Sequence, residues 1–213
     1  MTDDRGSSSP GLRERKKLRT RTTLIDVAAE LCLRQGYEQT TVEQISAAAD
    51  VSPRTFSRYF ATKESVIAAM VTEIDEQAAE ALAAQPRDIT EHEAFMRAHL
   101  EIFRPDRPSP AFARMAVLTR IVNTSHTLNP FDFSRGPLGK CAAAIALRMG
   151  VPLDHPAVRL VLECGISLLD AVFRDLGGPG QEPMTAPVVR ERLLSAFEMF
   201  TRTWQPWNPA PAP

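Results

Sequence analysis

Three cysteines in 213 residues, Cys32, Cys141 and Cys164, are widely spaced and form no CxxC pair. That spacing argues against a disulfide framework and a Cys-rich zinc site, and it fits core thiols in a reducing compartment. No unbroken apolar run approaches the roughly 18 residues of a membrane-spanning helix, and no apolar segment of signal-peptide type stands at the N-terminus. A cytoplasmic protein without a membrane partner is therefore expected. Period-two alternation is absent, so strands are not expected, and no repeat of solenoid length occurs. Catalytic patterns are equally scarce. No local context joins a cysteine to His92, His99, His126 or His155 as nucleophile and base, and His92 and His99, with Glu93 between them, lack the HExxH spacing of a metal site. Neither an enzyme, a metal site nor a cofactor is expected.

Large charge excess is missing too, since the formal net charge is only -1, with 44% hydrophobic and 24% charged residues. The average hides an asymmetry. Residues 11–63 carry ten Lys/Arg against six Asp/Glu, whereas residues 64–213 carry fourteen against eighteen. Basic charge is gathered at one end, as contact with a polyanion requires, and the acidic remainder limits nonspecific sticking. Within the basic end, Arg13 to Arg21 holds six basic residues in nine. This arm is expected to add salt-dependent, sequence-indifferent affinity for phosphates or an adjacent minor groove.

What the chain does contain is a run of two short helices joined by a tight turn, from Thr40 to Phe60. Thr40 has Glu43 three residues on and Thr41 has Gln44, so either threonine can form a capping box. Val42, Ile45 and Ala49 share a face, and Ser46, Ala47 and Ala48 are slim enough for a second helix to cross closely. Asp50 tolerates a left-handed backbone at the turn, and Ser52 with Pro53 supplies an N-cap and a proline at the first helical position. In the second helix Phe56 and Phe60 face inward, leaving Arg54, Thr55, Ser57, Arg58 and Tyr59 outward. Arginine suits bidentate contact with guanine, and hydroxyls suit phosphates or base edges, so the outward set reads as a recognition helix.

The segment Leu24 to Ile67 resembles the N-terminal DNA-binding domain of the tetracycline-repressor (TetR) family of bacterial transcriptional regulators. The resemblance rests on Ala28, Ala29 and Leu31, on Gly36-Tyr37 before Thr40-Thr41-Val42, and on Ile45, Ala49, Val51-Ser52, Thr55, Tyr59-Phe60 and Lys63-Glu64. It departs from the usual pattern at Cys32, Asp50, Arg54 and Ser57, of which Arg54 and Ser57 bear on the identity of the operator. The expected DNA-binding residues are Arg19, Thr41, Ser52, Arg54, Thr55, Ser57, Arg58, Tyr59 and Lys63, with Lys63 either at a phosphate or merely solvated beside Glu64.

An all-α fold follows: an N-terminal three-helix helix-turn-helix domain over residues 12–63 and a helical ligand-binding and dimerisation domain over 64–203, flanked by a disordered tail at 1–11 and a Pro-rich tail at 204–213. The first helix is expected from about Thr20 to Gln35, with Leu24, Ala28 and Leu31 buried and Gly36 as its stop. A long helix runs from Lys63 to about Gln85, with Glu73, Asp75, Glu76 and Glu80 outside and Pro86 ending it. The resemblance implies that this helix transmits a ligand signal. Further helices are expected near Asp88 to Arg104, Pro110 to Ser125, Leu138 to Met149, from an Asp154 cap to Leu176, and Ala186 to Thr203, with a loop at 129–137.

Two of these carry functional expectations. The helix to Leu176 is apolar on more than one side, and Val189, Leu193, Ala196, Phe197 and Phe200 match it, so helices 155–176 and 186–203 are expected to form a four-helix homodimer interface. Phe95, Met96, His99, Phe103, Met115, Leu118, Thr119, Val122, His126, Cys141, Ile145 and Met149 could line an apolar cavity, with His99, Thr119 and His126 orienting a ligand. The resemblance implies a small, often lipophilic effector there. The expected function is thus a homodimeric repressor on a pseudo-palindromic double-stranded DNA operator, released by that effector. The alternative is a dimeric DNA-binding regulator with no small-molecule effector.

Overall fold

The structure is a computed structural model and describes residues 11–107, 109–128, 139–178 and 180–203. Residues 1–10, the loop at 129–137 and the tail at 204–213 lie outside it. The described residues form helices and no strand, apart from one isolated bridge between Leu176 and Glu182. Contacts divide the chain into two compact units, Met1–Ile67 and Ala68–Pro213.

In the first unit α1 spans Leu12–Gln35, α2 Val42–Ala48 and α3 Pro53–Tyr59. Helix α1 begins at Leu12, well before the expected Thr20. The basic arm is therefore helical. Its Leu, Arg, Lys and Glu residues are strong helix formers with no proline or glycine among them, and Thr20 and Thr23 turn their hydroxyls back onto the carbonyls of Lys16 and Arg19. The apolar stripe that betrays a helix starts only at Leu24, where burial begins with Leu24, Ile25, Ala28, Ala29, Leu31 and Cys32. Gly36, at φ 89°, ends α1.

Of the two candidate caps of α2, Thr41 forms the box, accepting from Gln44 N while Gln44 Oε1 accepts from Thr41 N. Thr40 is buried and donates to Gly36 O instead. Asp50 sits at φ 53°, the left-handed turn, and Val51 N donates to Ser46 O at 3.0 Å to close it. Ser52 then caps α3 by accepting from Thr55 N.

Helix α4 spans Lys63–Ala83, its first turn in the first unit and the rest in the second. The second unit continues with α5 Glu91–Ile102, α6 Pro110–Thr124, α7 Gly139–Met149, α8 Pro156–Phe173 and α9 Ala186–Thr203. Helix α5 starts later than Asp88 because Thr90 caps it, accepting from Glu93 N. Helix α8 is capped by His155, whose Nδ1 accepts from Ala157 N, and not by Asp154. It ends at Phe173, short of Leu176, since Asp175 already has φ 64°.

Asp75, expected on the outer face of α4, is 1% exposed. Its carboxylate accepts from the amides of Lys140 and Cys141 at 2.9 and 3.0 Å, satisfying the exposed donors at the start of α7. Helix α8 packs against α5, α7 and α9 around the core of this unit. Gly165 permits the approach to α5: a Cβ there would stand 2.5 Å from Phe95 Cε1.

Candidate nucleic-acid interface and candidate ligand cavity

In α3 the inward and outward sets separate as the spacing implies. Phe56 and Phe60 are buried, their ring centroids 5.9 Å apart, while Arg54, Ser57 and Arg58 are exposed and Thr55 and Tyr59 half-buried. The Arg58 guanidinium lies 5.3 Å from the centroid of the Tyr59 ring, which orders an otherwise floppy side chain. Arg54 has no ion pair or hydrogen bond among the described residues, so its whole donor fork is open. Ser57 donates to Pro53 O and keeps only its lone pairs for a partner. Thr41 and Ser52 are exposed but use their oxygens as helix caps. Arg19 lies on the exposed part of α1.

Lys63 stands apart from this surface. Its ammonium donates to Tyr37 O and Thr40 O at 2.6 and 2.7 Å and sits 3.9 Å from the centre of the Tyr37 ring. A lysine merely solvated beside Glu64 does not describe that position, and the expected phosphate contact is left one N–H group, because the other two hold the link between α1 and α2. The Tyr37 hydroxyl in turn donates to Glu64 Oε1 at 2.6 Å. That bond pulls the Glu64 carboxyl below its usual range, while burial and the same carboxylate push the Tyr37 phenol up.

The second unit holds a cavity of about 440 Å³. Val71, Ile74, Asp75 and Ala78 of α4 line it with Phe95 and His99 of α5, Met115, Leu118, Thr119, Val122 and Asn123 of α6, and Cys141 of α7. Helix α8 supplies Leu162, Ile166, Leu169, Asp170 and Phe173, and Arg174 follows. Five expected lining residues, His126 among them, lie elsewhere: Met96, Phe103 and Ile145 are buried in the core, and Met149 packs partly buried against it. His126 is exposed just beyond α6. Sequence reasoning missed the α8 wall because it assigned that helix's second apolar side to dimerisation. It missed Asp75 because a lone acid among Glu73, Glu76 and Glu80 looks like a solvated face.

Burial sets the ionisation of the site. It holds the His99 imidazole down at about 4 and pushes the Asp170 carboxyl up, with Arg174 opposing the latter shift. The thiols of Cys32, Cys141 and Cys164 are all pushed up by burial, so none offers a thiolate. Among the described residues no cluster of His, Cys, Asp or Glu could hold a metal ion, and no helix is long and apolar enough to cross a membrane.

The sequence model described as "Bacterial regulatory proteins, tetR family" matches residues 24–70. A curated relative, the HTH-type transcriptional regulator TcmR of Streptomyces glaucescens, is 39% identical over 153 residues, covering 69% of this chain and 68% of the relative. The chain belongs to the TetR family. Solved TetR-family structures share its fold: a putative regulator from Syntrophomonas wolfei is 17% identical, with a TM-score of 0.57 over 90% of this chain and 100% of that one. A regulator from Streptomyces coelicolor A3 is 19% identical, with a TM-score of 0.50 over 92% of this chain and 99% of that one.

As a TetR-family member the protein is a DNA-binding transcriptional regulator, not an enzyme. Within that frame Lys63 makes a separable prediction. Lys63→Met should lower the stability of the DNA-free protein by about 2 kcal/mol, the scale of two charge-assisted bonds lost from a partly solvated group. Thermal unfolding without DNA reads it, and an unchanged melting curve with weakened DNA binding would return Lys63 to the phosphates.

Proposed function

We propose that the protein is a repressor that binds a pseudo-palindromic operator as a homodimer and is released when a small apolar effector fills the cavity of its second unit. The observation that carries the DNA half is the outward set of α3, Arg54, Thr55, Ser57, Arg58 and Tyr59, mounted on buried Phe56 and Phe60 behind a left-handed turn at Asp50. Two such helices, one per half-site, give affinity and specificity that one short helix lacks. The helical basic arm, Arg19 included, adds phosphate contacts. Homodimerisation through α8 and α9 is supported by Leu160, Leu194 and Met199, large apolar side chains left 54%, 47% and 66% exposed on those two helices. Effector binding is supported by the volume and apolar lining of the cavity. An effector that prefers one dimer geometry would shift the population away from the spacing that fits the operator.

The experiment is a mobility shift of the purified protein on DNA flanking its own gene, over a series of salt concentrations. Two chains per site and a steep salt dependence are expected. Binding that is equally strong on unrelated DNA would sink the operator reading, and an operator complex indifferent to every ligand that stabilises the protein would leave a regulator without an effector. Arg58→Ala and Arg54→Ala should each weaken operator binding by about 1–3 kcal/mol while the melting temperature stays unchanged, as loss of a base contact requires. Unfolding of either variant would show that the residue serves the core instead.

A further inference from the structure

The cavity of the second unit is apolar except at a few atoms, and their hydrogen-bonding sense points to one kind of ligand. His99 is 3% exposed, and its Nδ1 lies 2.8 Å from Phe95 O. A carbonyl can only accept, so Nδ1 carries the proton. Burial keeps the imidazole neutral near physiological pH, with its value down at about 4, which leaves Nε2 with a free lone pair. Nε2 has no partner among the described residues, yet the sealed, unpaired side-chain atoms are His92 Nε2 and Arg148 Nε, not this one. His99 lines the cavity and its Nε2 is not among the sealed atoms, which is the basis for directing Nε2 at a ligand there. Thr119, 8% exposed and also lining the cavity, has a hydroxyl without a protein partner there. Of the other polar groups, Asp75 and Asn123 are occupied, Asp170 is acidic and Arg174 is exposed. Asp75 caps α7, and the Asn123 amide donates to the carbonyls of Phe173 and Leu176. Arg174, the lone basic side chain of the lining, is exposed, whereas Asp75 and Asp170 both face the space.

We propose that the effector is an uncharged, ring-bearing molecule with a hydroxyl, a phenol or alcohol, that donates its hydrogen to His99 Nε2 and takes Thr119 Oγ1 as its second polar contact. The inference rests on the reading of the cavity as an effector site. A purely apolar ligand would expel water from Nε2 and leave a buried acceptor unpaired, a cost that a donor-bearing ligand avoids. A carboxylate would meet an acceptor nitrogen and two carboxyl groups, with only the solvent-exposed Arg174 to offset them. The rings of Phe95 and Phe173 suit a flat apolar body.

The test is fluorescence titration of the intact protein with four matched probes: pyrene, 1-hydroxypyrene, 1-pyrenecarboxylate and 1-pyrenemethylammonium. 1-Hydroxypyrene should bind roughly five- to tenfold more tightly than pyrene, the scale of one net hydrogen bond, and both ions should bind more weakly than pyrene. In His99→Phe, whose ring removes the unpaired acceptor among Phe95 and Phe103, pyrene should bind more tightly than to the native protein while the hydroxyl preference falls to roughly twofold or less. Thr119→Val should give a smaller loss of the same preference, which keeps the test intact should His99→Phe fold poorly. Equal affinity for pyrene and 1-hydroxypyrene, a preference that survives His99→Phe, or tightest binding of either ion would overturn the proposal. Failure of pyrene itself, which needs only apolar volume, would overturn the effector-site reading along with it and so marks the two failures apart.

Discussion

Asp75→Ala is expected to destabilise the second unit by roughly 2–4 kcal/mol, a fall of roughly 5–15 °C in melting temperature. The side chain is 1% exposed and accepts from Lys140 N and Cys141 N at the first turn of α7. A carboxylate at a helix N-terminus gains both from charge-assisted bonds and from the positive end of the helix dipole. Removing it leaves two amides short of an acceptor, at least one of them on the buried residue Cys141. The opposing term is the desolvation of the carboxylate, which the substitution relieves, so the net loss is smaller than the sum of the bonds. Asp75→Asn should fall between the two proteins, because one amide oxygen still accepts while the NH2 group meets a second donor. Amide hydrogen exchange reads the effect locally: exchange at 140 and 141 should accelerate in both variants, most in Asp75→Ala. Unchanged exchange and unchanged melting would mean that α7 starts without its cap and that Asp75 is kept for the cavity it lines.

Asp75 also shows where the sequence could be read and where it could not. The helix-turn-helix was legible because its signals are local: a capping box at Thr41 and Gln44, a residue able to take positive φ at Asp50, a Ser-Pro cap, and a pair of phenylalanines four apart. The all-α class was legible for the same reason. What escaped depends on contacts far along the chain. Asp75 and Lys140 are 65 residues apart, and Lys63 lies 26 and 23 residues from Tyr37 and Thr40, and no periodicity encodes such pairs. The early start of α1 escaped for the opposite reason, since an exposed helix held by propensity alone has no apolar stripe to announce it. The second apolar side of α8 was visible, but a side that walls a cavity and a side that meets another chain have the same composition. Only the three-dimensional placement of Leu162, Ile166, Leu169 and Phe173 against α4, α5 and α6 separates them.

Acidification between about pH 6.5 and pH 4 is expected to remove roughly 3 kcal/mol of stability through His99 alone, the shift from its ordinary 6.5 to about 4 taken at 1.36 kcal/mol per unit. The sign follows from proton counting. The folded state holds His99 neutral down to about 4, whereas the unfolded chain protonates it from 6.5 downward, so the unfolded state binds the extra proton throughout that window. The stability that His99 contributes is therefore complete above pH 6.5 and lost as the pH falls to about 4. Below that value both states are protonated and the loss levels off. Burial drives the shift, the bond to Phe95 O opposes it, and Asp75, facing from α4, opposes it further. Other groups titrate in the same range. His92 is also lowered by burial and works in the same direction, whereas Asp170, raised by burial, works in the opposite one. The measurement is therefore a difference: chemical denaturation of the native protein and of His99→Phe at a series of pH values, which cancels the shared groups. The native protein should lose stability more steeply than the variant from pH 6.5 to 4, and the two curves should run parallel above pH 7. Parallel curves throughout would mean that the imidazole protonates in place near its ordinary 6.5, with water or Asp75 stabilising the cation, and Nε2 would then be the acceptor that recognition of a hydroxyl-bearing effector needs only above that pH.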